Sequence, residues 1–534
     1  MEQLALIVGL LFATVVAVGF GDRMRLPYPV LVLILSAALT FIPGFPDLQI
    51  APELILPIFL PPLLFATAQK SSWVVFRIRW RTLLLMAIGL VVVTTAVTAG
   101  AGWLLIPGIG IPGAIALGAV VAPPDPVAVE SVSARVRMPR RLTTILQSEG
   151  LFNDAAAIVI FQAATAATVS GSGIGPEIAL SFILGAAIAV AVGMAMGWIT
   201  VLASRLIQST VARSAVTLVV PFAAYILAEE LHASGVIAVV VTALEMKRHA
   251  RAEDAAERLT GAAFWDVVEL LATGLAFGLV GLAIKRVIDE EGSAIFAMLP
   301  AAVVICLLVI VVRVLWIWLV AGMIKKRGTE LSRLSFKDVI VLSWCGMRGL
   351  ATLALALALP LTLDSGAGFP ARHEIIVIAC AVLLATLVLP GLTLPWLMRV
   401  LKASEDPSVE RDAARVLARR AQSAAQAALK NNPLIKELPP EKLKILRSRM
   451  TRLYAELTDN TGLPGTTAGG GKLDEAAAGE LRARGRELVV AVQTIALDAA
   501  RQEIIAARNE PGTDPEAADH VLQQLDLRTM IMPE

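Results

Sequence analysis

Between Leu4 and Leu401 the chain is a succession of apolar runs near 20 residues long, broken by short polar loops. About 20 consecutive apolar residues in a helix are what a bilayer crossing requires. The runs predict about thirteen spanning helices, near 4–20, 27–43, 54–68, 83–106, 112–133, 143–168, 177–203, 214–230, 234–246, 262–284, 296–323, 337–360 and 375–401. Composition points the same way. Apolar residues make up 57% of the chain and charged ones 17%, against about 25% charged in a soluble domain. More apolar side chain is present than a water-soluble core could hide, so lipid is a partner of the chain.

Basic residues alternate from loop to loop. Arg23 and Arg25, then Lys70, Arg77, Arg79 and Arg81, then Arg135, Arg137, Arg140 and Arg141 sit on one side, and the intervening loops are almost free of them. Lys and Arg favour the cytoplasmic side, which places the N-terminus outside and, with an odd helix count, the C-terminus inside. The first run has Glu2 before it and its arginines after it, so it reads as a retained helix and not a cleaved leader. From about 403 the material changes. It becomes polar, mixed in charge and rich in Ala, Arg, Glu and Leu at helical spacing, with a flexible break at Asp459–Lys472. Residues 403–534 are expected to form a helical cytoplasmic domain in two parts, regulatory in character and of unknown ligand.

Several functions are excluded. A net charge of +2 gives no case for a nucleic-acid partner. Cys306, Cys345 and Cys380 lie in apolar runs and read as packing. The four histidines show no metal-ligand spacing, and His373-Glu374 lacks the second His of a zinc protease motif. Five residues separate Gly465 from Gly471-Lys472, and Leu473 follows, so no phosphate loop exists to drive transport with ATP. Neither an enzyme nor a cofactor is implied.

A charge at membrane depth costs about 2.5–3.5 kcal/mol on insertion scales, so the few present are informative. In Ser148-Glu149-Gly150-Leu151-Phe152-Asn153-Asp154-Ala155, Glu149 and Asp154 point about 140° apart on a helix and do not form one carboxylate pair. Gly150, one turn before Asp154, leaves room beside its carboxylate. Asp154 reads as the functional acid, Asn153 as a hydrogen-bonding neighbour and Glu149 as half of an ion pair. Ala122-Pro123-Pro124-Asp125-Pro126 cannot continue a helix, so the fifth span breaks there. Asp125 either neutralises the N-terminus of the second half-helix or coordinates a cation. Cys345-Gly346-Met347-Arg348-Gly349 predicts a matching break in the twelfth span, with Arg348 facing half-helix C-termini or Asp125. Arg313, central in the eleventh span, needs a buried partner, and Glu149 is the candidate. Two broken spans seven apart fit two inverted six-helix repeats joined by the seventh helix, with the ion site at the breaks. Tyr225, Glu229, Glu230 and His232 read as a solvated helix end, and Asp266 and Glu269 as a similar set.

Taken together, LPPLLF at Leu60–Phe65, PDPVAV at Pro124–Val129, SEGLFNDA at Ser148–Ala155, AEELHASGVIAVVV at Ala228–Val241, Arg313 and GMRG at Gly346–Gly349 resemble the monovalent cation:proton antiporter family, sodium/proton exchangers of bacterial NhaP type. The resemblance implies an all-α polytopic fold and a homodimer. A core of about 83–168 and 296–401 would move against an interface domain of about 1–68 and 214–284 within a transmembrane domain of 1–402. It implies that Asp154 alternately holds a monovalent cation and a proton, that Glu149 and Arg313 pair structurally, and that the Asn-Asp form goes with electroneutral Na⁺ (or Li⁺)/H⁺ exchange at a bacterial plasma membrane. K⁺/H⁺ exchange, or a cation channel or sensor on the same scaffold, are the rivals. Many relatives carry an acid directly after LPPLLF; here Ala66 follows, which bears on ion selectivity.

Overall fold

A computed structural model describes residues 2–24, 26–42, 52–70, 85–125, 129, 138–171, 176–249, 255–292, 294–325, 335–402, 407–430, 479–508, 510, 513 and 515–530. The basic positions Arg25, Arg77, Arg79, Arg81, Arg135 and Arg137, the residues 126–128 just past the first break, and the break at 459–472 lie outside this set. Two compact units emerge: Met1–His249 with Phe264–Glu405, and Ala250–Ala263 with Asp406–Glu534. Among the described residues regular structure is helical, apart from one isolated bridge between Thr362 and Gly368.

The first unit holds α1 (Glu2–Met24), α2 (Tyr28–Leu39), α3 (Pro52–Lys70), a π-helical turn (Leu85–Gly89) running into α4 (Leu90–Leu105), α5 (Gly110–Val121), α6 (Arg140–Ser170), α7 (Pro176–Leu206), α8 (Thr210–Glu230) and α9 (Gly235–Arg248). After α10 (Ala255–Glu291) come α11 (Ala294–Lys325), α12 (Phe336–Trp344), α13 (Leu350–Leu357) and α14 (Arg372–Leu401). A helix lies within every one of the apolar runs. Seven stretches among the described residues are long and apolar enough to cross a membrane, including Leu4–Gly21, Ile295–Met323 and Arg372–Leu401. Tyr28–Leu39, Leu56–Gln69 and Gly110–Val121 are shorter apolar helices.

Local chemistry sets several ends. Ser335 and Asp338 form a reciprocal capping box at the start of α12, the Asp338 amide donating to Ser335 Oγ at 3.3 Å and the Ser335 amide to Asp338 Oδ2 at 2.7 Å. Ser209 and Ser234 cap α8 and α9 by accepting from the amides of Ala212 and Ile237. The π turn, α4, α5 and α6 pack with α11, α12, α13 and α14, and α9 packs with α3, α7 and α8; α13 also packs on α3, and α9 on α6. Leu6 and Leu10 of α1 cluster with Leu282 of α10. Phe65 of α3 stacks on Trp265 of α10 with ring centroids 4.8 Å apart, and Trp265 Nε1 donates to Thr217 of α8. Trp344, the last residue of α12, donates to Thr393 of α14 at 2.9 Å.

The second unit contains α15 (Pro407–Lys430), α16 (Gly479–Arg508) and α17 (Pro515–Met530), which share an Ala- and Leu-rich core that includes Ala418, Ala421, Ala500, Ile504 and Val521. Arg420 on α15 binds Glu503 on α16 at 2.7 Å and Glu510 at 2.6 Å. These hydrogen bonds hold the exposed Glu510 carboxyl below its usual range. Arg501 on α16 reaches Asp526 on α17 at 2.8 Å, and both are buried.

Candidate functional site: two crossed helix breaks

The end of α5 follows from its prolines. In a continuing helix the carbonyls of Ala119, Val120, Val121 and Ala122 would accept from residues 123 to 126. Positions 123, 124 and 126 are Pro and have no N–H. The remaining donor, the amide of Asp125, is diverted to Met347 O at 2.7 Å, in the break of the other span. Val121 O and Ala122 O are thus left without helical partners at a buried site, where an unmade bond costs about 1–3 kcal/mol. Arg348 supplies them. Its Nε donates to Val121 O at 3.0 Å and its Nη2 to Ala122 O at 3.1 Å, while Nη1 donates to Gly346 O at 2.5 Å. A cation at a helix C-terminus is also favoured by the dipole.

The exchange runs in the other direction as well. Helix α13 begins at Leu350, whose amide donates to Asp125 Oδ2 at 3.3 Å. Asp125 therefore neutralises the N-terminus of the opposite span's second half. The sequence left Asp125 as either the neutraliser of its own span's second half-helix or a cation ligand; the contact in the structure is with the opposite span, and the residues just after its own break, 126–128, lie outside those described. Both glycines of the GMRG motif are required by close approach. A Cβ on Gly349 would overlap the Asp125 carboxyl group, and one on Gly346 would run into the Arg313 side chain.

Arg313 on α11 and Glu149 on α6 form a bidentate pair, Nη1–Oε1 at 2.6 Å and Nη2–Oε2 at 3.2 Å, and Arg313 Nε also donates to Leu342 O. Both side chains are at most 2% exposed. A small cavity is lined by Pro124, Asp125, Glu149, Gly150, Arg313 and Cys345, among others. Asn153 Nδ2 donates to Pro124 O at 2.5 Å, and its Oδ1 accepts from the Asp154 amide at 2.7 Å. Asn153 thereby ties α6 to the broken segment. Asp154 is 6% exposed, and among the described residues its Oδ1 has no hydrogen-bond partner. Its carboxylate and that of Asp125 interact electrostatically.

The profile described as sodium/hydrogen exchanger, transmembrane, matches residues 9–400. The chain belongs to the sodium/hydrogen exchanger family. An uncharacterised Na⁺/H⁺ exchanger of Mycobacterium tuberculosis is 34% identical over 440 residues, 79% of each chain. A sodium, potassium, lithium and rubidium/H⁺ antiporter of Bacillus pumilus is 32% identical over 396 residues, 70% of this chain and 58% of that one. In fold the chain is similar to the sodium/proton antiporter MjNhaP1 of Methanocaldococcus jannaschii, with a TM-score of 0.59 and 20% identity across 76% of this chain and all of that one.

As a family member, the protein is a membrane-spanning antiporter. The six residues singled out from the sequence fall into connected sets. Arg348 and Asp125 cross at the two breaks, Glu149 and Arg313 face the same cavity as Asp125, and Asn153 anchors on Pro124 beside Asp154. Sequence reasoning missed Thr386 on α14, whose Oγ1 accepts from the Arg348 amide at 3.2 Å. A lone Thr in an apolar run carries no signal of such a role. The set Tyr225, Glu229 and His232 turns at the end of α8, where Glu229 accepts from the Gly235 amide at 3.1 Å.

Proposed function

We propose that this exchanger moves Na⁺ or Li⁺ against protons, one for one, by competition of the two ions for Asp154. The observation that carries the reading is the buried Asp154 carboxylate, with one oxygen unspent, beside two broken helices whose charges are otherwise matched. An ionised carboxylate in an apolar barrier is costly, so only a form loaded with cation or proton crosses between facing states. That rule couples the two fluxes without ATP. Asn153 positions the Asp154 backbone, and Asp125 adds negative charge.

The protein is read as a homodimer of the plasma membrane, N-terminus outside and C-terminus cytoplasmic, in which the α4–α6 and α11–α14 group moves against the rest. Thirteen spans in two inverted repeats are the topology proposed. K⁺ is the second candidate, because a relative bears a name that includes potassium and rubidium, and Ala66 stands where many relatives carry an acid. The test is dye-reported pH recovery in acid-loaded proteoliposomes given Na⁺, Li⁺, K⁺ or choline. Wild type is expected to alkalinise the lumen with Na⁺ or Li⁺, and Asp154→Asn to be inert though folded. Cation-dependent proton flux retained in Asp154→Asn would refute the role of this carboxylate, and a current with no proton coupling would favour a channel.

A further inference from the structure

The unwound stretch between α12 and α13 has to hold Arg348 against the end of α5, and a glycine-flanked strand of backbone does not do so unaided. Its amide is held from outside both broken spans. Thr386 on α14 is 2% exposed. Its hydroxyl proton goes to Val382 O at 2.7 Å, so the oxygen is left oriented as an acceptor for the Arg348 amide at 3.2 Å. From that anchored Cα the guanidinium reaches Val121 O and Ala122 O. Those carbonyls directly precede Pro123-Pro124-Asp125, where Pro124 O takes the Asn153 amide and Asp125 meets α13. A hydroxyl on α14 is therefore linked to Asp154 through four consecutive contacts. We propose that Thr386 is a positioning residue for the ion site, setting cation affinity through the placement of Arg348.

This inference rests on Asp154 being the ion site. Thr386→Val keeps the shape and removes both hydrogen bonds, whereas Thr386→Ser keeps both. Thr393→Val is the matched control: it removes the hydroxyl contact of α14 with Trp344 at the end of α12, without touching Arg348. In proteoliposomes, Thr386→Val is expected to raise the apparent KM for the cation about five- to tenfold with the maximal rate changed less than twofold. Thr386→Ser should restore the KM, and Thr393→Val should leave it at the wild-type value. An unchanged KM in Thr386→Val, no rescue by serine, or an equal shift in Thr393→Val would overturn the proposal. If wild type catalyses no exchange, the antiport reading fails, and Thr386 is judged by the same ranking of variants in the cation concentration that half-protects purified protein from heat. A wild type that is neither active nor protected overturns both.

Discussion

Removal of Arg313 tests the energetics of the membrane core directly. The guanidinium spends its Nη1 and Nη2 on Glu149 and its Nε on Leu342 O, and neither Arg313 nor Glu149 is exposed by more than 2%. In Arg313→Met the Glu149 carboxylate stays buried with both oxygens stripped of these partners. Breaking a buried pair on one side costs about 3–5 kcal/mol, which is roughly a hundred- to a few-thousand-fold in the folding equilibrium. Glu149→Met should cost a comparable amount by stranding the cation. The double variant strands neither charge, and replacement of a buried pair by apolar side chains is often close to neutral. Its loss should therefore be well below the sum of the singles, with a coupling of about 2 kcal/mol or more. Thermal unfolding of the purified protein, followed by loss of its monodisperse peak on size exclusion, measures all four species. Single variants as stable as wild type, or a double equal to the sum of the two, would refute the buried-pair argument. Exchange by the double variant adds a functional reading: because Asp154 is untouched, its cation KM should stay within about twofold of wild type.

Other perturbations have equally definite outcomes. Gly349→Ala drives a methyl group into Asp125; overpacking of this kind costs about 1–3 kcal/mol, and here it should also weaken cation affinity, read as a higher KM. Asp125→Asn keeps an acceptor for the Leu350 amide but removes the charge, so the protein should fold while exchange slows markedly, measured in the same liposomes. In the tail, Arg501→Met removes the buried bond to Asp526 and should expose α16 and α17 to protease in the intact protein, whereas Arg420→Met, at a half-exposed site, should change the cleavage pattern little. Glu510 has its folded carboxyl held low by Arg420, so its contribution is present above the ordinary Glu range near pH 4.3 and is lost as the pH falls through the folded value. Tail cleavage should thus be independent of pH from 6 to 8, and Glu510→Gln, like Arg420→Met, should change the pattern little.

Much of this arrangement is written locally. Apolar runs near 20 residues dictate helices in lipid, three prolines in four residues forbid helix at 123–126, and a charge in mid-run demands a partner. These are one-dimensional signals, and α5, α11 and the Glu149–Arg313 pair follow from them. What the sequence does not carry is the crossing. Asp125 lies at the break its prolines require, yet its carboxylate accepts from the amide that opens α13, about 225 residues further along the chain, because the two breaks pass each other in space. Thr386 was invisible for a similar reason. Its oxygen is an ordinary helical hydroxyl until the packing of α14 brings the Arg348 amide to it.

The exchange of charges between the breaks explains how two interrupted helices are kept in so apolar a setting. Arg348 cannot satisfy Val121 and Ala122 unless the twelfth span is already unwound at Gly346–Gly349, and Asp125 cannot reach α13 unless the fifth is broken by its prolines. Each break thus supplies the charged group that satisfies the other. Arg313 is consumed by Glu149, Arg348 by carbonyls, and Asn153 by Pro124 and its neighbour's amide. Asp154 Oδ1 has no hydrogen-bond partner among the described residues, and the side chains named around it are already engaged. On the proposed reading, a cation or a proton is what neutralises that carboxylate.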